Sequence, residues 1–189
     1  MQVEQLSTAS GVVLEGPLLI TPQIFGDGRG FFYESWNQRR FDEAVGGPTT
    51  FVQDNHSKSV ANVLRGLHYQ IQQPQGKLVR VTQGEVFDVV VDIRPGSPTW
   101  GQWSGMVLSA DNKRQMWLPP GLAHGFLVLS EHAEFLYKTT DYWYPAHERS
   151  LLWSDPDVAI AWPVLPMAPL LAAKDASAPT WAQTQADWG

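Results

Sequence analysis

The chain has 189 residues, with 13 Lys and Arg against 19 Asp and Glu for a formal charge of −6, no cysteine and nine tryptophans. That length suits one domain over 1–189 with a real core, and an aromatic content of 12 % argues against disorder. Zero cysteine excludes a disulfide scaffold, a zinc ribbon and a thiol nucleophile, and the acidic balance argues against nucleic-acid binding through a broad basic face.

Residues 1–10, MQVEQLSTAS, are polar and lack the basic-then-apolar pattern of a targeting segment. Short strands are predicted at 30–36, 50–54, 62–70, 77–82, 85–94, 105–109, 115–118, 124–129, 134–139 and 150–153. The clearest is 85–94, EVFDVVVDIR, where Phe87, Val89, Val91 and Ile93 share one face and Asp88 and Asp92 the other. Turn signals such as Asp27-Gly28, Gln83-Gly84 and Pro95-Gly96 separate these runs. One short helix is predicted over 37–45, with Asn37 as its N-cap. After Pro163 the tail reads as a short helix or a loop wrapping the body. The longest apolar run, 158–173, is broken by Pro163, Pro166 and Pro169 and is too short and kinked for a bilayer span. A soluble cytoplasmic protein without a membrane partner is the expectation. Many short strands at this spacing predict an antiparallel sandwich or barrel.

Five histidines are present, and two sit in informative places. His68 ends the strand VLRGLHYQ, and His124 opens a strand after Pro119-Pro120-Gly121. A lone strand histidine is more often structural than catalytic, so context must decide. Double-sheet cupins that hold metal show His-x-His with a nearby Glu, then a distant His after Pro-x-Gly. PPGLAH supplies the second half, but His68 is followed by Tyr69 and Gln70, so the three-nitrogen set is missing. The residues predict a cupin-like barrel without a metal. An imidazole is the natural general base near neutral pH and needs an anionic partner to fix its tautomer. Tyr137 shares strand parity with Phe135 and so faces inward, where a tyrosine is most often plain core. Arg29, Arg65, Lys77 and Lys174 stand at strand ends, and the sequence does not show that they converge.

Longer stretches say more: FGDGRGFFYESWN from Phe25, FVQDNHSKS from Phe51, NVLRGLHYQ from Asn62 and QGKLVRVTQGEVFDVVVDIRPGSPTWGQW from Gln75. NKRQMWLPPGLAHGFLVLSEHAEFLYKTT from Asn112, WSDPD from Trp153 and AAKDA from Ala172 continue the series. Through them the chain resembles, in order and over nearly its whole length, the dTDP-4-dehydrorhamnose 3,5-epimerase family. The resemblance implies an all-β, cupin-type jelly-roll barrel (a double-stranded β-helix) with a few short helices, a homodimer, and no metal or other cofactor. It implies inversion of C3 and C5 of dTDP-4-dehydro-6-deoxy-D-glucose to give dTDP-4-dehydro-L-rhamnose. His68 of RGLH is then the general base, Tyr137 of EFLYK the general acid, Asp175 of AKDA the partner of the histidine, and Lys77 of QGKLVR a residue of the site, whose cation suits the oxyanion that develops at C4. Nucleotide-sugar contacts carry over to Arg29, Glu34, Gln53, Asp54, Asn55, Arg65, His124, Glu148 and Lys174, with the Arg29–Glu34 segment reaching the site of the dimer mate.

One departure stands out. The family's Tyr-Tyr pair after EFLYK, whose second ring stacks on thymine, is Tyr142-Trp143 here. Trp143 offers a larger π face for the base. A parity conflict also arises: Arg65 and His68 are three apart on one strand, so simple alternation opposes them. A bulge at Gly66 would turn both inward. The rival readings are a single-centre epimerase, a 3,4-ketoisomerase, a non-catalytic sugar-nucleotide-binding cupin and a metal-dependent dioxygenase.

Overall fold

The computed structural model describes residues 1–185. Thirteen strands lie among them: β1 (Gln2–Ser7), β2 (Val13–Thr21), β3 (Ile24–Asp27), β4 (Gly30–Tyr33), β5 (Gln53–Val60), β6 (Leu64–Gln70), β7 (Lys77–Gln83), β8 (Glu85–Asp92), β9 (Trp103–Ser109), β10 (Gln115–Leu118), β11 (Leu122–Val128), β12 (His132–Thr139) and β13 (Glu148–Ser150). Three short helices join them, α1 (Gln38–Val45), α2 (Ala173–Ala176) and α3 (Trp181–Thr184). One sheet has the order β1-β2-β10-β7-β12-β5 and the other β13-β6-β11-β8-β9, while β3 and β4 form a separate hairpin. Neighbours pair antiparallel, and the out-of-sequence order is that of a jelly roll. The all-β cupin-type barrel with a few short helices is therefore the architecture found.

Three apolar layers hold it. Between the sheets, Leu19, Val79, Met116 and Phe135 meet Val86, Val90, Leu108 and Phe126. Outside the six-stranded sheet, α1 lays Phe41 on Ile20, Leu78 and Trp117. Outside the five-stranded sheet, the C-terminal segment lays Val158 and Trp181 on Leu67, Tyr69, Val89 and Val91. The helix α1 forms where predicted: Asn37 Oδ1 accepts from the Arg40 N–H at 3.2 Å, and Gly46 closes it in the left-handed region.

The structure departs from the sequence reading in four places, the smallest being the strand expected at 150–153, which is β13 at Glu148–Ser150. No strand was expected before residue 30, yet β1, β2 and β3 are there. In β1 only Leu6 is buried, so it shows no apolar alternation, and β2 carries the turn-like Gly16-Pro17. The strand expected at 50–54 is β5, shifted to Gln53–Val60. Its inward residues Gln53, Asn55 and Ser57 are polar like its outward ones, so periodicity is blind to it. Lastly, β8 is buried on both faces, and the face carrying Asp88 is the one that looks between the sheets.

Candidate active site

Between the sheets, beside Phe126 and Phe135, lies a cavity of about 590 Å³. The five-stranded wall contributes Arg65 and His68 from β6, His124 from β11 and Glu148 from β13. The six-stranded wall contributes Gln53 and Asn55 from β5, Lys77 from β7 and Tyr137 from β12. Trp143, in the loop after β12, and Lys174 and Asp175, from α2, complete the lining.

Arg65 and His68 both reach this cavity because β6 is bulged. His124 pairs with His68 and Phe126 with Arg65, so two steps along β11 match three along β6. Gly66 sits in the bulge at φ 117, where a side chain is strained. A Cβ there would also lie 2.6 Å from Gly125 Cα and 2.7 Å from the His124 carbonyl oxygen. The bulge proposed from parity is present.

That bulge also serves a His–Asp pair. His68 Nε2 lies 2.6 Å from Asp175 Oδ1, and the Gly66 N–H donates to Asp175 Oδ2 at 3.4 Å. Because Nε2 is engaged, Nδ1 is the ring nitrogen left to meet a ligand. His124, across from His68, has its own buried carboxylate: Nε2 lies 3.0 Å from both oxygens of Asp88. On the other wall, the Trp143 N–H donates to Gln53 Oε1 at 3.2 Å, and Gln53 Nε2 donates to Asn55 Oδ1 at 2.9 Å. The Asn55 Nδ2 is buried and has no acceptor among the described residues.

Residues 12–183 match the family described as dTDP-4-dehydrorhamnose 3,5-epimerase. The chain belongs to that family. It is 65 % identical over 167 residues to the dTDP-4-dehydrorhamnose 3,5-epimerase of Pseudomonas aeruginosa, covering 88 % of this chain and 92 % of that one. Among solved structures, it matches the dTDP-6-deoxy-D-glucose-3,5-epimerase of Legionella pneumophila in complex with dTDP-4-keto-L-rhamnose. That match has 53 % identity and a TM-score of 0.86, over 94 % of this chain and 92 % of that one. The Mycobacterium tuberculosis epimerase superposes with a TM-score of 0.93 at 37 % identity, over 100 % of this chain and 92 % of that one.

In this epimerase-family chain the site's electrostatics balance burial against charge partners and hydrogen bonds. Burial alone would raise the Asp175 carboxyl, but the His68 hydrogen bond and charge, the Gly66 N–H and Lys174 outweigh it and hold it below its ordinary value. Asp88 goes the other way: full burial raises it, against the opposing pull of His124 and Lys77. Burial brings Lys77 down to about 8, although Glu148 and Asp88 favour its cation, and Lys174 pushes the same way as burial. Burial and Glu148 raise the Tyr137 hydroxyl, with Arg65 opposing, so its proton stays in place at neutral pH. Lys174 Nζ pairs with Glu148 Oε2 at 2.9 Å, and Arg65 Nε donates to Ser59 Oγ at 3.0 Å.

Three residues carried over from the resemblance do not line the cavity of their own chain. Arg29, at the exposed turn between β3 and β4, binds Asp27 through Nη2 at 2.6 Å. Glu34 pairs with Arg40 at 3.4 Å and lines a separate cavity of about 210 Å³ beside α1. Asp54 points out of β5, between the inward Gln53 and Asn55, and pairs with Lys138 at 2.9 Å. Conversely, Asp88, which no sequence motif marks, backs the site through its pair with His124. Alternation in 85–94 sets it opposite the apolar face, and only the covering of both faces of β8 shows that it is buried with a partner. Among the described residues no three His, Cys, Asp or Glu converge as a metal-binding group, and none of the helices is long and apolar enough to cross a membrane.

Proposed function

We propose that this family member inverts C3 and C5 of dTDP-4-dehydro-6-deoxy-D-glucose by proton transfer between His68 and Tyr137. The observation that carries the reading is that these two residues line one cavity from opposite sheets. The C4 ketone acidifies both neighbouring C–H bonds. His68 Nδ1 takes the proton, the C–H electron pair becomes an enolate, and negative charge settles on O4. Tyr137 then delivers its hydroxyl proton to the opposite face of the carbon, which inverts it. The resulting imidazolium and phenolate return to neutral groups by exchange with solvent.

Lys77 supplies the cation at O4, and Asp175 orients the imidazole through its 2.6 Å contact with Nε2. Arg65 and Lys174 neutralise the diphosphate. Asn55 offers its unpartnered N–H, and Trp143, 56 % exposed, offers its face to thymine. His124, Gln53 and Glu148 hold the sugar and its cations in place.

The protein acts as a homodimer in this reading. The hairpin β3–β4 exposes Phe25, Phe31 and Phe32 at 57, 61 and 71 %, a patch suited to burial on a second copy. Docked there, it carries Arg29 and Glu34 to the mate's cavity. A charged nucleotide sugar does not cross membranes unaided, which places the reaction in the cytoplasm.

The test is incubation of substrate in D₂O with NMR of the product. Deuterium at both C3 and C5 is expected. Deuterium at one carbon makes the protein a single-centre epimerase, a moved carbonyl makes it a ketoisomerase, and binding without exchange removes catalysis altogether. Equilibrium sedimentation tests the dimer, and a fully active monomer would refute it.

A further inference from the structure

We propose that Asp155, in the WSDPD motif, is a positioning residue: it ties the C-terminal strap to the strand beside His68 and so sets the His68–Asp175 pair. The inference rests on the proposed role of that pair. Asp175 sits on α2, a helix of four residues with no side-chain cap. One turn is too short to hold its own place, so anchors on either side of α2 must fix the carboxylate. On the upstream side the Leu170 N–H donates to the Asn62 carbonyl at 2.8 Å, and the Leu64 N–H donates to the Leu170 carbonyl at 3.0 Å. On the downstream side the Leu152 N–H donates to the Pro179 carbonyl at 2.8 Å.

Asp155 makes the second downstream anchor. It is 2 % exposed. Its Oδ1 accepts from the N–H groups of Asp157 at 2.9 Å and Val158 at 3.1 Å, and its Oδ2 accepts from the Trp181 N–H at 2.8 Å. One carboxylate therefore spends one oxygen on its own loop and the other on the strap. That loop follows β13, which pairs with β6 by placing Ser150 opposite His68. Leu151 and Leu67 exchange backbone hydrogen bonds at 2.9 and 3.3 Å. The contacts close a ring: His68 on β6, β13, the Asp155 loop, Trp181, α2, Asp175, and back to His68 Nε2 at 2.6 Å. Trp181 completes the anchor by burying its ring in the layer that holds Leu67 and Tyr69. The hydrogen-bonded links span 2.6 to 3.3 Å and the rest are covalent, so a shift of the strap moves the carboxylate against the imidazole.

The experiment is a double-mutant cycle on the full chain with Asp155→Asn and Asp175→Asn, with hydrogen exchange on each variant. Alone, Asp155→Asn is expected to lower kcat about tenfold with KM held within about twofold, because a small misplacement at a reacting group is enough. Against Asp175→Asn it should cost less than about twofold more, because the two act through one pair. Exchange should quicken in 170–184 while β7 and β8 stay protected. Multiplying effects, an unchanged kcat, or exchange that quickens evenly across the barrel would overturn the proposal. If Asp175→Asn itself leaves kcat unchanged, the reading of the His68–Asp175 pair fails instead, and the proposal falls with it. Should Asp155→Asn not fold, Gln183→Ala loosens the same anchor from the surface, since Gln183 Oε1 accepts from the Thr180 N–H at 2.9 Å. A smaller loss with the same non-additivity supports the proposal, and wild-type kcat with unchanged strap exchange overturns it.

Discussion

Lys77→Met should stabilise the protein while destroying its activity. Burial takes the Lys77 ammonium from its ordinary 10.5 to about 8, and that value already includes the favourable pull of Glu148 and Asp88. At about 1.4 kcal/mol per pH unit, the gap corresponds to about 3 kcal/mol that the folded state loses by holding this cation at neutral pH. Methionine keeps the length of the side chain and carries no charge, so most of that penalty should disappear. The sign follows from proton binding. Between the folded value near 8 and the unfolded 10.5, the unfolded chain binds more protons, so wild-type stability rises with pH through that window. Urea unfolding of wild type and Lys77→Met at pH 7 and again near pH 10 is the assay. The variant should be more stable by about 3 kcal/mol at neutral pH, with the difference shrinking by about 2 to 3 kcal/mol at the higher pH. A variant less stable than wild type at pH 7, or a difference that does not narrow, would refute the reasoning. Turnover should fall in the same variant, because O4 loses its cation.

Other outcomes follow from the same geometry. His68→Ala and Tyr137→Phe should each reduce turnover by about 10²- to 10⁴-fold with circular dichroism unchanged, and full activity in either ends the proposed mechanism. Wild-type activity should decline as pH rises through about 8 and Lys77 loses its proton, and Lys77→Arg should move that limb upward in a pH–rate profile. Gly66→Ala meets backbone at 2.6 Å as well as a positive φ, so thermal denaturation should show a loss of about 3 kcal/mol or more. Trp143→Ala should raise KM about tenfold and leave kcat near wild type, since a stacked base is worth about 1–3 kcal/mol.

Much of the site was legible because it is written in contiguous motifs. RGLH, EFLYK, QGKL and AKDA name His68, Tyr137, Lys77 and Asp175 one by one, and the cavity brings all four together. The bulge was legible too, since a glycine between two residues of conflicting parity has few other uses. The strand β5 was misplaced because an inward face made of Gln, Asn and Ser carries no apolar signal; that polar face is what a sugar cavity requires. Asp54 was carried over with its neighbours Gln53 and Asn55, but strand alternation turns it away from them. Periodicity does not mark Asp88, because an acid opposite an apolar face reads as solvent-facing, whereas both faces of β8 are covered.

A charge of −6 and the lack of cysteine are properties of composition, and the sequence by itself was enough to exclude a broad polyanion surface and thiol chemistry. Local periodicity and turn chemistry likewise sufficed for an antiparallel sandwich or barrel and for α1 with its Asn37 cap, while the jelly-roll form came through the family resemblance. Which charges meet was decided only in three dimensions. Lys77, Arg65 and Lys174 come from β7, β6 and α2, and only the closing of two sheets and a strap puts them around one cavity in an acidic chain. The same holds for the Asp88–His124 pair, 36 residues apart. The His68–Asp175 pair spans 107 residues and reaches the sequence only through the family motifs, since no local pattern joins the two. Sequence periodicity reports which way a side chain faces, whereas contact between distant segments depends on sheet order and strand register.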